Sequence, residues 1–185
     1  MIDELLQDAR EHMDKSVDST RVKFQSIRTG RASPALLDRI TVDYYGAVTP
    51  LKQLATISAP EARMLTVQPY DKTSIKAIER AIMESDLGLT PNNDGSLVRL
   101  VLPELTEERR KQLVKVVRGL TEEGKVALRN IRRDVMHDLK ELRDAGETGA
   151  DDEHRAEDAL QKLTDDKVTE LEALLKGKET EILEV

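Results

Sequence analysis

Along the first 29 residues, Ile2, Leu5, Leu6, Ala9, Met13, Val17, Thr20, Phe24 and Ile27 recur at steps of three and four. That spacing places them on one face of an amphipathic helix, and the sequence ends it near Thr29-Gly30. A second run opens after Pro103, with Thr106 as N-cap and Glu107 and Glu108 suited to the positive end of the helix dipole. Its seam passes through Leu113, Val117, Leu120, Gly124, Ala127, Ile131, Val135, Leu139 and Leu142. No proline interrupts it before Ala145-Gly146, so it predicts a helix of roughly 38 residues, about 57 Å long at the usual rise per residue. A third stripe, Ala156, Leu160, Leu163, Val168, Leu171, Leu174, Leu175 and Ile182, predicts a helix from about Asp151. Three helices with one apolar stripe each make a bundle.

Between the first two runs the period changes to two. Ile40, Val42 and Tyr44 alternate with Arg39, Thr41 and Asp43 before Gly46, and apolar runs at 64–67 and 97–102 also read as strands. Residues 74–85 (SIKAIERAIMES) read as a helix with Ile75, Ile78 and Ile82 on one side, and Thr90-Pro91-Asn92-Asn93-Asp94-Gly95 is turn chemistry. All six prolines lie between Pro34 and Pro103, and proline breaks helix interiors at about 3 kcal/mol. The predicted fold is therefore mainly α with an inserted α+β domain: a discontinuous three-helix bundle of residues 1–29 and 105–185, and a small domain of residues 30–104. Two short connecting strands, Gly30–Pro34 and Leu102–Glu104, offer a hinge.

Composition narrows the functional classes. There is no cysteine, which excludes disulfides, thiolate catalysis and Cys-ligated zinc and fits a reducing compartment. The polar, acidic start MIDELLQDAREHMDK is unlike a signal peptide, and no stretch approaches the roughly 20 apolar residues of a membrane span. A cytoplasmic protein is expected. Only Phe24, Tyr44, Tyr45 and Tyr70 are aromatic, so aliphatic side chains must fill the core.

Charge changes the picture more. The net formal charge is -7. Yet residues 109–133 carry nine basic and two acidic side chains (+7), against seven and 17 (-10) over 134–185. Projected at 100° per residue, Arg110, Arg118, Lys125, Arg129 and Arg132 share one face of the long helix, and Arg133 widens it. Arg129, Arg132 and Arg133 stand at i, i+3 and i+4. Guanidinium forks match phosphate oxygens bidentately, so this face is a candidate polyanion site; spacing alone leaves a merely solvated surface equally open. Asp134, His137, Asp138 and Glu141 hint at a metal site, but no second ligand cluster accompanies them. In TPNNDG, Thr90 stands where a calcium loop needs Asp, and a hairpin turn accounts for it. No phosphate-binding glycine loop is present. No cofactor or metal is expected.

Several stretches together resemble bacterial ribosome recycling factors: RTGRASPALLDRI (28–40), LTVQPYDKTSIKAIERAI (65–82), LGLTPNNDG (87–95), LTEERRKQLVKVVR (105–118), ALRNIRRDVMHDLK (127–140) and DDEHRAEDALQKLTD (151–165). The resemblance runs through essentially the whole chain in order. It implies an L of a three-helix bundle and a small α/β domain, flexibly joined. It also implies a non-enzymatic role: binding the large ribosomal subunit between subunits after termination, while elongation factor G hydrolyses GTP and drives the subunits apart. By the matching motif, Arg129, Arg132 and Arg133 contact ribosomal RNA, with Arg132 foremost; Arg110 in EERRK is carried over beside them, and Arg118 and Lys125 extend the same face. Arg28 and Arg31 of RTGR also fall near RNA. Gly30, Arg31, Ala32 and Ser33 match the first hinge strand, and Pro103, Glu104 and Leu105 the second, where relatives often carry a second proline. A self-associating coiled coil is the rival for the seam; three helices and a short glycine loop favour closure within one chain, hence a monomer.

Overall fold

The computed structural model describes residues 1–184. In chain order its elements are α1 (Ile2–Gln25), β1 (Thr41–Tyr44), β2 (Ala47–Pro50), the single turn α2 (Leu51–Leu54), β3 (Ala55–Glu61), β4 (Met64–Pro69), α3 (Ile75–Met83), β5 (Pro91–Asn93), β6 (Val98–Val101), α4 (Glu107–Asp144) and α5 (Ala150–Glu184). They divide into two units, Met1–Arg28 with Glu107–Glu184, and Thr29–Thr106.

In the helical unit, α4 packs against both α1 and α5. Its buried positions are Leu113, Val117, Thr121, Gly124, Leu128, Val135 and Leu139. The expected single seam is therefore incomplete: Thr121 and Leu128 are buried, whereas Leu120, Ala127, Ile131 and Leu142 are half-buried. A helix with two neighbours buries a wider arc than one stripe. Thr121 is tolerated because its hydroxyl donates to the Val117 carbonyl at 2.9 Å, as Thr164 does to Leu160 at 2.8 Å. α1 ends at Gln25, short of Thr29-Gly30. There the Ser26 hydroxyl donates to the Lys23 carbonyl (2.6 Å), and Ile27 N–H closes a tight turn on Phe24 (3.1 Å).

Gly124 is where three helices meet. A Cβ on it would lie 2.8 Å from Thr20 Oγ1 on α1 and 3.0 Å from Leu171 Cδ1 on α5, whereas at Gly119 and Gly177 nothing lies within 4 Å. Alanine gains roughly 1 kcal/mol of helix propensity at any of the three; at Gly124, overpacking costs about 1–3 kcal/mol and exceeds it. Gly124→Ala is expected to lower Tm by a few degrees and Gly119→Ala to raise it by a similar amount. Paired thermal melts check the opposite signs.

α4 stops at a glycine turn. Gly146 has φ +73°, Glu147 N–H donates to the Leu142 carbonyl and Gly146 N–H to the Arg143 carbonyl, both at 2.9 Å. This is a Schellman motif, in which glycine takes the left-handed position at no steric cost. It sends α5 back antiparallel along α4.

The small unit holds a four-stranded antiparallel sheet, order β3-β4-β6-β5, and a separate β1-β2 hairpin. Its core includes Leu37, Val42, Leu51, Leu65, Val67, Ile78, Ile82, Val98 and Leu100. Strands β2 and β3 had no clear sequence signal, and Pro91–Asn93, read as turn, is an edge strand. The turn itself comes next. Asp94 accepts hydrogen bonds from the N–H groups of Ser96 (3.1 Å) and Leu97 (2.9 Å) and from Arg99 (3.0 Å). The Ser96 bonds foremost hold its carboxyl down to about 2, against an ordinary 3.8. A depressed carboxyl stabilises above its unfolded pKa and loses that contribution as pH falls through the folded one. Asp94→Asn is therefore expected to flatten the loss of stability between pH 4 and pH 2, read by acid titration of tyrosine fluorescence. All three tyrosines, Tyr44, Tyr45 and Tyr70, sit in this unit.

Both connecting strands are tied to one turn of the small unit. Ala32 N–H donates to the Ala62 carbonyl (2.7 Å) and Leu102 N–H to the Arg63 carbonyl (2.8 Å). Arg63 also pairs with Glu104 at 3.1 Å. Gly30 has φ +78°, and Leu105 lies over it, its Cγ 3.2 Å from where a Cβ would be. Among the described residues no helix is long and apolar enough to cross a membrane.

Candidate nucleic-acid interface

The basic face of α4 carries cations in different states. Arg118 Nε donates to Glu179 of α5 at 2.6 Å. Seven residues on, Lys125 sits between Glu172 (3.2 Å) and Glu122 (3.4 Å) with only 15% of its side chain exposed. Its hydrogen bond to Glu172 leads the causes that raise its pKa. Both were expected to face RNA; in the bundle each also pairs with a carboxylate of α5, Lys125 largely covered and Arg118 with 65% of its side chain exposed. Seven residues further, Arg132 is half-buried, and its Nη1 donates to Gln161 Oε1 at 3.0 Å. Gln161 in turn donates to Asp165 Oδ1 at 2.9 Å. No carboxylate pairs with Arg132 among the described residues.

Arg129 and Arg133 point outward. Arg129 is exposed and makes no ion pair or side-chain hydrogen bond among the described residues. Among the described residues Arg133 pairs with its neighbour Asp134 alone, at 3.3 Å, with both side chains largely exposed, a contact worth little in water. At 100° per residue Arg129 lies about 60° from Arg132 and about 40° from Arg133, so the three guanidinium groups span one strip of the helix. Arg110 lies half-buried near the start of α4. Arg28 is exposed after α1, and Arg31 is exposed in the small unit beside the buried Ala32. Sequence reasoning placed the cations and missed Gln161, whose contact with Arg132 depends on the register of α5 against α4. Among the described residues no group of three or more His, Asp and Glu side chains converges to hold a metal.

A family model described as Ribosome recycling factor matches residues 20–183. The chain belongs to this family. It is 53% identical over 185 residues to the ribosome-recycling factor of Geobacillus kaustophilus, covering both chains completely, and 54% identical over 180 residues to that of Rubrobacter xylanophilus, covering 97% of each. A solution structure of a ribosome recycling factor superposes with a TM-score of 0.74 at 40% identity, covering 100% of this chain and 98% of that one. A second structure, TM-score 0.64 and 47% identical, covers 99% of each chain; it is a T. thermophilus ribosome recycling factor with E. coli elongation factor G bound to an E. coli post-termination complex. Family members act in ribosome recycling as translation factors and are not enzymes.

Proposed function

We propose that this chain binds the large ribosomal subunit after termination through the Arg129, Arg132 and Arg133 strip of α4. With elongation factor G and its GTP, it then promotes subunit splitting and mRNA release. One observation carries this reading: in a family that recycles ribosomes, the strip keeps three guanidinium groups of which, among the described residues, none forms an ion pair with another helix. Phosphate contacts position a protein without reading sequence, which is what a rod laid along folded RNA requires. Arg110 and Arg28 add cations of the helical unit to the proposed footprint, and Arg31 is a further RNA contact that belongs to the small unit. The connecting segments Gly30–Ser33 and Pro103–Leu105 serve as a hinge, with Gly30 supplying backbone freedom that other residues lack. The protein works as a monomer in the cytoplasm, with no cofactor of its own. A polysome breakdown assay with elongation factor G and GTP tests the reading. Splitting should accelerate when the protein is added; an unchanged rate would remove it.

A further inference from the structure

The interhelical contacts of α4 and α5 form a ladder. On α4 the rungs start at Arg118, Lys125 and Arg132, seven residues apart; on antiparallel α5 the first two end at Glu179 and Glu172, also seven apart. A heptad step keeps both sides of such a ladder in line, as it does for charges flanking a coiled-coil seam. The next step down α5 falls on Asp165. Continuing the pattern would join Arg132 to that carboxylate and neutralise it. Instead Gln161, one helical turn away, stands between them: its amide oxygen accepts from Arg132 and its amide nitrogen donates to Asp165. Only one orientation of the amide satisfies both contacts.

We propose that Gln161 is a positioning residue for RNA binding, holding the Arg132 guanidinium in place while keeping Asp165 from capturing its charge. The inference rests on the reading of Arg132 as a phosphate contact. It explains why three cations on one edge differ: two are paired with carboxylates of α5, and the third is anchored by an uncharged acceptor that uses one donor of the five. The other donors remain available for a phosphate, and the charge on which that contact depends stays whole. A glutamate at position 161 has nearly the same shape and would supply the missing carboxylate.

Binding of the full-length protein to isolated large subunits, titrated over a range of salt, provides the test. Gln161→Glu is expected to bind about tenfold more weakly at physiological salt, and to lower the slope of log affinity against log salt by roughly one, as when one phosphate contact is lost. Its melting temperature should hold or rise, so misfolding cannot mimic the effect. Gln161→Ala, which removes both the anchor and the spacer that keeps Asp165 from the guanidinium, should also weaken binding and lower the slope, by less than Gln161→Glu because no carboxylate is placed directly against Arg132. The double variant Gln161→Glu, Asp165→Asn restores the net charge but not the free guanidinium, and should stay as weak as the single variant. Recovery in the double variant would make the effect one of overall charge and overturn the proposal. So would wild-type affinity in Gln161→Glu alongside weak binding by Arg132→Ala. If Arg132→Ala itself binds normally, the underlying reading of Arg132 falls instead.

Discussion

Replacing Arg132 by glutamate is expected to weaken binding to the large ribosomal subunit by about 30- to 150-fold while leaving helix content intact. A hydrogen bond to a charged group contributes about 1.5–3 kcal/mol, and a bidentate guanidinium–phosphate pair lies toward the upper end. Reversing the charge replaces that attraction with repulsion, so a loss of 2–3 kcal/mol follows, at 1.4 kcal/mol per tenfold. Folding has less at stake. The side chain is half-buried and, among the described residues, its side-chain hydrogen bond is to a neutral amide, so stability should change by under about 1 kcal/mol. Co-sedimentation with large subunits reads the first effect and far-ultraviolet circular dichroism the second. Unchanged affinity in a well-folded variant would take the anchor out of this account.

Arg143→Ala is expected to cost about 2–3 kcal/mol of stability, the largest effect foreseen for a single truncation at a charged position. Glu153, in the first turn of α5, is only 7% exposed at its side chain, and Arg143 Nη1 meets it at 2.9 Å across the Gly146 turn. Removing one partner of a buried ion pair costs about 3–5 kcal/mol because the other charge is left uncompensated. Two features reduce that here: Arg143 is itself 39% exposed, and a carboxylate in the first turn of a helix is favoured by the helix dipole. Chemical denaturation measures the loss. The double variant Arg143→Ala, Glu153→Leu should recover most of it, since no buried charge then remains. Equal stability of Arg143→Ala and the parent chain would show that water reaches Glu153 freely.

Much of this architecture was legible because its rules are local. Proline-free flanks with apolar steps of three and four give long helices, and the alternation at Ile40, Val42 and Tyr44 gives β1. What escaped depended on partners far along the chain. Thr121 and Leu128 are buried because α4 faces two helices, which no single stripe encodes. Strand β3, ATISAPE, is mostly exposed and ends at Pro60-Glu61, so neither periodicity nor propensity marks it; its pairing with β4 makes it a strand. At the site, the spacing of Arg129, Arg132 and Arg133 was plain, but the state of each cation was not. Lys125 and Arg132 look alike in the sequence. They differ only in what α5 presents seven and eleven residues apart, a matter of register set by the turn at Gly146.

With no tryptophan in the chain and every tyrosine in the small unit, tyrosine emission comes from that unit alone, whereas helical ellipticity is dominated by the other. The molecule thus carries its own pair of separate spectroscopic reporters. Coincident denaturation curves would mean that the two units melt as one cooperative block, and displaced curves that each keeps its own stability.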